Sequence, residues 1–240
     1  IGANGAGKST LLKCLAGIVR PGAGSIYLER QGGGWLQTGA PSLGLKGPHR
    51  GGGFKAAFRH GFVLVYGTRG DAAEDARALS KARFDAEMFW VRGNAGIELL
   101  PDTAFEPAQF KDRAVILYGN ADTNSAWPKL LAGSPVDVRA GEARVGEKRF
   151  QGPDLAAYFV RPRGGSDVAS VGVVAWTGPA GWIAAAPGQY FVSGAGFPDL
   201  MLFTAETLRS GTGGVRAIGW FGNDWSVERG DIVWNDGRAK

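Results

Sequence analysis

The sequence predicts an α/β fold, an open and mainly parallel sheet with flanking helices, preceded by a short glycine-rich fragment. Three observations carry that prediction. Short continuous apolar runs recur at residues 62–66 (FVLVY), 115–118 (VILY) and 171–175 (VGVVA), and such runs suit strands buried on both faces. Segments of helical periodicity separate them, and strands alternating with helices argue for parallel pairing through right-handed crossovers. The stretch VLVYGT at 63–68 is echoed by VILYGN at 115–120; in each, glycine permits a tight turn after the strand and a polar residue follows.

Taken in order, residues 1–28 read as loop, helix, turn and strand. Leu11, Leu12, Leu15 and Ile18 share one helical face,. Pro21 and Gly22 stop that helix, and residues 25–28 resume as a strand,. Residues 29–53 hold two triple-glycine runs with Pro41 and Pro48 and little periodicity, so a Gly-rich linker is expected there,. Residues 54–240 form the α/β domain. Its expected elements are a strand at 62–66, a long amphipathic helix at 71–91 and strands at 97–100 and 115–118. A helix follows at 124–131 with Thr123 or Asn124 as N-cap, and strands at 171–175, 200–203 and 215–221 complete the sheet. Phe84, Phe89, Trp90 and Trp127 fall at helical positions and are expected in the core,.

Composition narrows the function classes. Apolar residues make up 44% of 240, enough to bury a core, and no run approaches the ~20 apolar residues that span a bilayer. The net charge of +5 is uneven: residues 1–59 carry +7 and the remainder −2. Those basic residues are spaced out and lack an aromatic ladder, so nucleic acid is not an expected partner. Cys14 is the one cysteine; it cannot form an intramolecular disulfide and reads as a small buried hydrophobe. No Cys/His spacing suggests zinc and no acidic register suggests a calcium loop,.

One motif carries clear chemistry. Gly2-Ala3-Asn4-Gly5-Ala6-Gly7-Lys8-Ser9 fits G-x-x-x-x-G-K-[ST]. Its glycines let backbone N–H groups turn around phosphate oxygens, Lys8 reaches the β/γ-phosphates, and Ser9 ligates Mg²⁺ at the positive end of the helix that follows. The whole stretch IGANGAGKSTLLKCLAGIVRPGAGSIYL, residues 1–28, resembles the opening of ABC transporter nucleotide-binding domains. The resemblance implies that Gly2, Asn4, Gly5, Gly7, Lys8, Ser9 and Thr10 belong to an ATP-phosphate and Mg²⁺ site, with ATP and Mg as cofactors. That family also uses an apolar strand ending in Asp-Glu, an LSGGQ-like signature and a switch histidine. Residues 115–118 are followed by Gly119-Asn120, and Ser210–Gly214 (SGTGG) only approximates the signature. The chain starts at Ile1, inside the motif, so a truncated P-loop fragment is expected, one that does not hydrolyse nucleotide by itself.

The body resembles something else. FVLVYGTRG, KARFDAEMFWVRGN, VILYGNADTNSAW, LAAYFVRPR, YFVSGAGFPDL and GWFGNDWSVE, within residues 34–234, are similar to the C-terminal α/β region of bacterial, planctomycete-type prolyl oligopeptidase-family hydrolases. The resemblance implies an accessory domain whose hydrolase domain is the missing partner. It implies a periplasmic or secreted setting, whereas the ABC resemblance implies a cytoplasmic, membrane-associated one. No catalytic residue is carried over. Ser193 lacks the G-x-S-x-G elbow, and His49 and His60 precede it, which leaves a Ser193–His60–Asp199 triad as a minor reading. Thr68, Asn120 and Thr177 follow neighbouring strands and form a candidate ligand crevice. Gly222–Ser226 could line it too, or Trp225 could simply end the sheet.

Overall fold

A computed structural model describes residues 27–39 and 42–235. The glycine-lysine motif and the helix expected after it lie outside the described residues. The chain divides into two units, residues 1–42 and 43–240.

In the first unit, β1 (Tyr27–Gln31) and β2 (Gly34–Thr38) form an antiparallel hairpin in which Gln31 pairs with Gly34. The two residues between them, Gly32 and Gly33, have φ of 56° and 86°. Positive φ at both central positions is the requirement of the hairpin turn whose twist matches the strands. Part of the segment expected as linker is therefore regular structure, because the glycines serve a turn there.

The second unit contains β3 (Phe62–Tyr66), α1 (Ala72–Gly93), β4 (Glu98–Pro101), β5 (Ala114–Tyr118) and α2 (Trp127–Leu131). A meander follows, of β6 (Val136–Arg139), β7 (Glu142–Val145) and β8 (Lys148–Gln151). Then come β9 (Leu155–Pro162), β10 (Ser170–Trp176), α3 (Pro179–Ala185), β11 (Leu200–Thr204), α4 (Thr207–Ser210), β12 (Val215–Trp220) and β13 (Asp231–Trp234). Eight strands form one sheet in the order β13-β12-β11-β9-β10-β5-β3-β4. The expected α/β sheet with flanking helices is present, but it is mixed: β4, β3, β5 and β10 run parallel, and every pair from β10 through β9 to β13 is antiparallel. Only residues 163–169 connect β9 to β10, too short for a crossover, so the two must pair antiparallel.

The core lies on this sheet. Val63, Leu64 and Val65 of β3, all of β5 and all of β10 are buried. Helix α1 starts at Asp71, whose carboxylate accepts from the N–H groups of Ala73 (2.9 Å) and Glu74 (2.8 Å), and stops at Asn94 with φ of 50°. Both ends follow the usual capping chemistry. Its buried face holds Ala78, Lys81, Ala82 and Asp85. Trp127 is buried and Phe89 packs against the core as expected, but Trp90 is 63% exposed and Phe84 38% exposed. Both corrections follow from helical phase: the stripe that faces the sheet passes through Lys81 and Asp85.

The meander β6–β8 and strands β9 and β13 were not predicted. Val136 and Val138 alternate with outward Asp137 and Arg139, and the turns sit at Gly141 (φ 74°) and Gly146 (φ 57°). Four-residue strands of this kind give too brief an alternation to be read against a polar loop.

Candidate functional site

In the parallel half, β3 leads through α1 to β4 on one side, and the chain returns to β5 on the other. The switch point therefore lies between the carboxyl ends of β3 and β5, where open α/β sheets bind ligands. Here that space is filled by the chain itself. The Asn124 side-chain amide donates to the carbonyls of Val65 (3.2 Å) and Tyr118 (3.0 Å), the penultimate residue of β3 and the last of β5. Its oxygen accepts from Ala126 N–H at 3.0 Å. Gly67 N–H donates to Tyr118 C=O (3.0 Å), and Arg69 N–H to Thr123 C=O (3.0 Å). A Cβ at Gly67 would stand 2.4 Å from Thr123 O, so the loop after β5 seats directly on the turn after β3. The expected side-chain N-cap of α2 is thus not what Asn124 supplies; two buried strand carbonyls hold its amide instead.

The three candidate crevice residues do follow the carboxyl ends of β3, β5 and β10. Thr68 Oγ1 donates to Asp102 Oδ1 at 2.6 Å, and the other Asp102 oxygen accepts from Ser125 N–H at 2.5 Å. Asn120 donates to Trp176 C=O (3.0 Å) and accepts from the N–H groups of Asp122 (3.0 Å) and Thr123 (3.2 Å). Thr177 donates to Gly152 C=O (2.6 Å) and accepts from Leu155 N–H (3.1 Å). None of the three bonds to another, and Asn120 and Thr177 are buried. The meander closes over the same end: Ala121 N–H donates to Val138 C=O, and Gly141 N–H to Thr177 C=O, each at 2.8 Å. Sequence reasoning missed Asp102 and the plugging role of Asn124. A carboxylate directly after the apolar strand ELLP was the available signal for the first.

Gly222–Ser226 does not line this crevice. Strand β12 runs opposite to β10, so the turn after it lies at the amino ends of the parallel strands. Trp225 is buried there with φ of 64°, and Arg161 donates to its carbonyl. Nor does a Ser193–His60–Asp199 triad form. Asp199 is fully buried, and its oxygens accept from Gly53 N–H (2.5 Å), Phe221 N–H (2.8 Å) and the Lys46 ammonium. That carboxylate is turned into the interior toward those three donors, whereas His60 is exposed, so Asp199 does not orient the imidazole.

A second polar cluster lies under the sheet. Lys81 Nζ stands 2.9 Å from Asp85 Oδ1 and donates to Gly188 C=O at 3.0 Å. The hydroxyls of Tyr118 and Tyr190 both donate to Asp85 Oδ2 at 2.9 Å. Burial pushes Lys81 down from the ordinary lysine range and Asp85 up from the carboxylate range, and each charge opposes the other's shift. Burial also raises both tyrosines, with Asp85 adding to it. Every donor and acceptor named here has a partner, so the cluster acts as a cross-tie from α1 to β5 and to the chain after α3.

Gly2, Asn4, Gly5, Gly7, Lys8, Ser9 and Thr10 lie outside the described residues. As a donor set they fit a nucleotide with Mg²⁺: glycine N–H groups and an ammonium for phosphate oxygens, and a hydroxyl for the cation.

Comparison with known proteins agrees for this part of the chain. Residues 1–38 match the family model of the ABC transporter, a span that covers the motif and the hairpin β1–β2. A search of curated proteins finds no match. Among the described residues no helix is long and apolar enough to cross a membrane, and no group of His, Cys, Asp and Glu is arranged to hold a metal ion.

Proposed function

We propose that residues 43–235 form a non-catalytic accessory domain of a prolyl oligopeptidase-like hydrolase, joined to an ABC-type nucleotide-binding segment at residues 1–28. The observation that supports the first part is the plugged switch point. Asn124, Asp102 and the meander take up the strand-end groups that an α/β enzyme of this topology offers to substrate. A domain built this way supplies rigid surface rather than reactive groups, and the hydrolase domain it serves is its partner. The test is turnover of a panel of aryl esters and peptidyl anilides by the full chain. Hydrolysis that disappears in Ser193→Ala would overturn the accessory reading; no turnover by parent or variant upholds it.

The match of residues 1–38 supports the second part. Lys8 and the glycines would hold the phosphates of ATP, and Ser9 the Mg²⁺ ion, which supplies charge neutralisation at the phosphates when bound. Equilibrium binding of a fluorescent ATP analogue measures this directly. Lys8→Ala should abolish the affinity; equal binding by variant and parent removes the loop from the account.

A further inference from the structure

Strand β13 lies at one edge of the eight-stranded sheet and pairs with β12 alone. Asn235 N–H, one residue beyond β13, donates to Arg216 C=O at 2.8 Å. Facing residues of an antiparallel ladder bond to each other at every second position, so Val233 and Asp231 bond to β12 in the same phase as Asn235. The N–H and C=O groups of Ile232 and Trp234 therefore point outward from the sheet edge. No backbone group among the described residues takes them up. An open edge is a template for a further strand, and proteins commonly shield it with lysine, proline or a bulge. Strand β13 (DIVW) has none of these, and Val233 is 66% exposed on the face it shares with Trp220.

On the other face of β13, Ile232 and Trp234 line a depression of about 300 Å³ together with Val145, Val227, Glu147 and Glu228. The Trp234 ring stacks on Phe150 of β8 with 6.4 Å between centroids, and the Lys148 ammonium lies 4.7 Å from its centre. Glu147, Glu228 and Asp231 are exposed and make no ion pair among the described residues. Nearby Arg229 is held by Asp224 at 3.4 Å. The edge thus offers outward backbone groups, an apolar floor and an excess of negative charge. A second copy of the chain suits it poorly. Four residues span roughly 14 Å, a ladder far short of the roughly 1,200 Å² of a stable interface, and a two-fold axis through the edge would bring the same acids together.

We propose that β13 docks an extended, basic peptide segment of a partner protein, which joins the sheet as a further strand. The backbone of that segment pairs with Ile232 and Trp234, its apolar side chains enter the depression over Val145 and Val227, and its cations meet Glu147, Glu228 and Asp231. Main-chain bonds supply affinity in this mode, while pockets and charges select the segment.

The test titrates the full chain with three end-blocked, fluorescently labelled peptides: KVTVKVT, its acidic counterpart EVTVEVT, and KVTVKVT with alternate backbone nitrogens methylated. Fluorescence anisotropy reads affinity, and amide hydrogen exchange reads the edge itself. The basic peptide should bind saturably and slow exchange at Ile232 and Trp234, while the acidic and the methylated peptides should bind at least tenfold more weakly. Ile232→Pro removes an outward N–H that β12 does not use, a place where edge strands accept proline, and should abolish binding with the thermal midpoint nearly unchanged. Should that variant unfold, Glu147→Gln with Glu228→Gln keeps the fold and should weaken the basic peptide about fivefold, the effect of losing two exposed charge pairs. Equal affinity for the acidic and basic peptides, no saturable binding, or unchanged exchange at Ile232 and Trp234 would overturn the proposal. So would a dimer in sedimentation that a folded Ile232→Pro variant dissolves, since the edge would then belong to a second copy.

Discussion

Lys81 and Asp85 stand one helical turn apart on the buried face of α1 and pair at 2.9 Å with both side chains shut off from solvent. A pair in that setting adds little over an apolar one, but breaking it strands a charge. Lys81→Met and Asp85→Leu should each lower the unfolding free energy by about 3–5 kcal/mol. The double variant should cost less than the sum of the two, since neither charge is then left alone. Urea denaturation of the four proteins measures the coupling.

The same cluster gives a pH dependence with a defined sign. Asp85 is held above its ordinary value in the folded chain, so the native state keeps this proton more readily than the unfolded chain does. The stabilisation from the neutral carboxyl is complete below the ordinary carboxylate range and is lost as pH rises through the raised folded value. Parent minus Asp85→Asn stability should therefore fall with increasing pH across that window. A flat difference would show that Asp85 titrates alike in both states.

Asn124 bridges the ends of two parallel strands, and its removal leaves the Val65 and Tyr118 carbonyls buried without this donor. Asn124→Ala should cost about 1–3 kcal/mol, the range for leaving a buried acceptor unsatisfied, since Tyr118 C=O keeps the Gly67 N–H. Asn124→Asp should cost more, because a carboxylate oxygen would then face two carbonyls. Hydrogen exchange should quicken first in residues 119–126. Gly67→Ala attacks the same seat from the other side and should cost about 1–3 kcal/mol, as overpacking does.

Lys46 and Asp199 tie the strap before β3 to the strand entry at β11, and Lys46 also donates to Phe221 C=O at 2.5 Å. Asp199→Ala leaves Lys46 without a counterion and the N–H groups of Gly53 and Phe221 without an acceptor. A loss of about 3–5 kcal/mol is expected. Limited proteolysis should then cut within residues 43–53, where the parent resists.

Much of the fold was legible because its evidence is local. The runs 62–66, 115–118 and 171–175 are apolar without interruption, since strands covered on both faces have no polar side to show. The long helix announced itself through Asp71 at its start and a sustained period. The buried face of that helix was misread for a local reason too: Lys81 and Asp85 look like solvent charges until the tyrosines that receive them are known. Strand β9 was overlooked although LAAYFVRP is as apolar as its neighbours, because no helical segment separates it from β10 to mark a crossover.

By itself, the sequence determined which segments become buried strands, where the long helix begins, and that residues 1–28 carry the chemistry of a phosphate loop. Each of these is written in contiguous residues, as periodicity, capping or fixed spacing. Only tertiary structure decided that the sheet turns antiparallel at β9, that Asn124 and Asp102 close the switch point, and that Asp85 receives Lys81 together with the hydroxyls of Tyr118 and Tyr190. Those outcomes depend on groups far apart in the chain competing for the same buried donors and acceptors, and no local pattern records which of them wins.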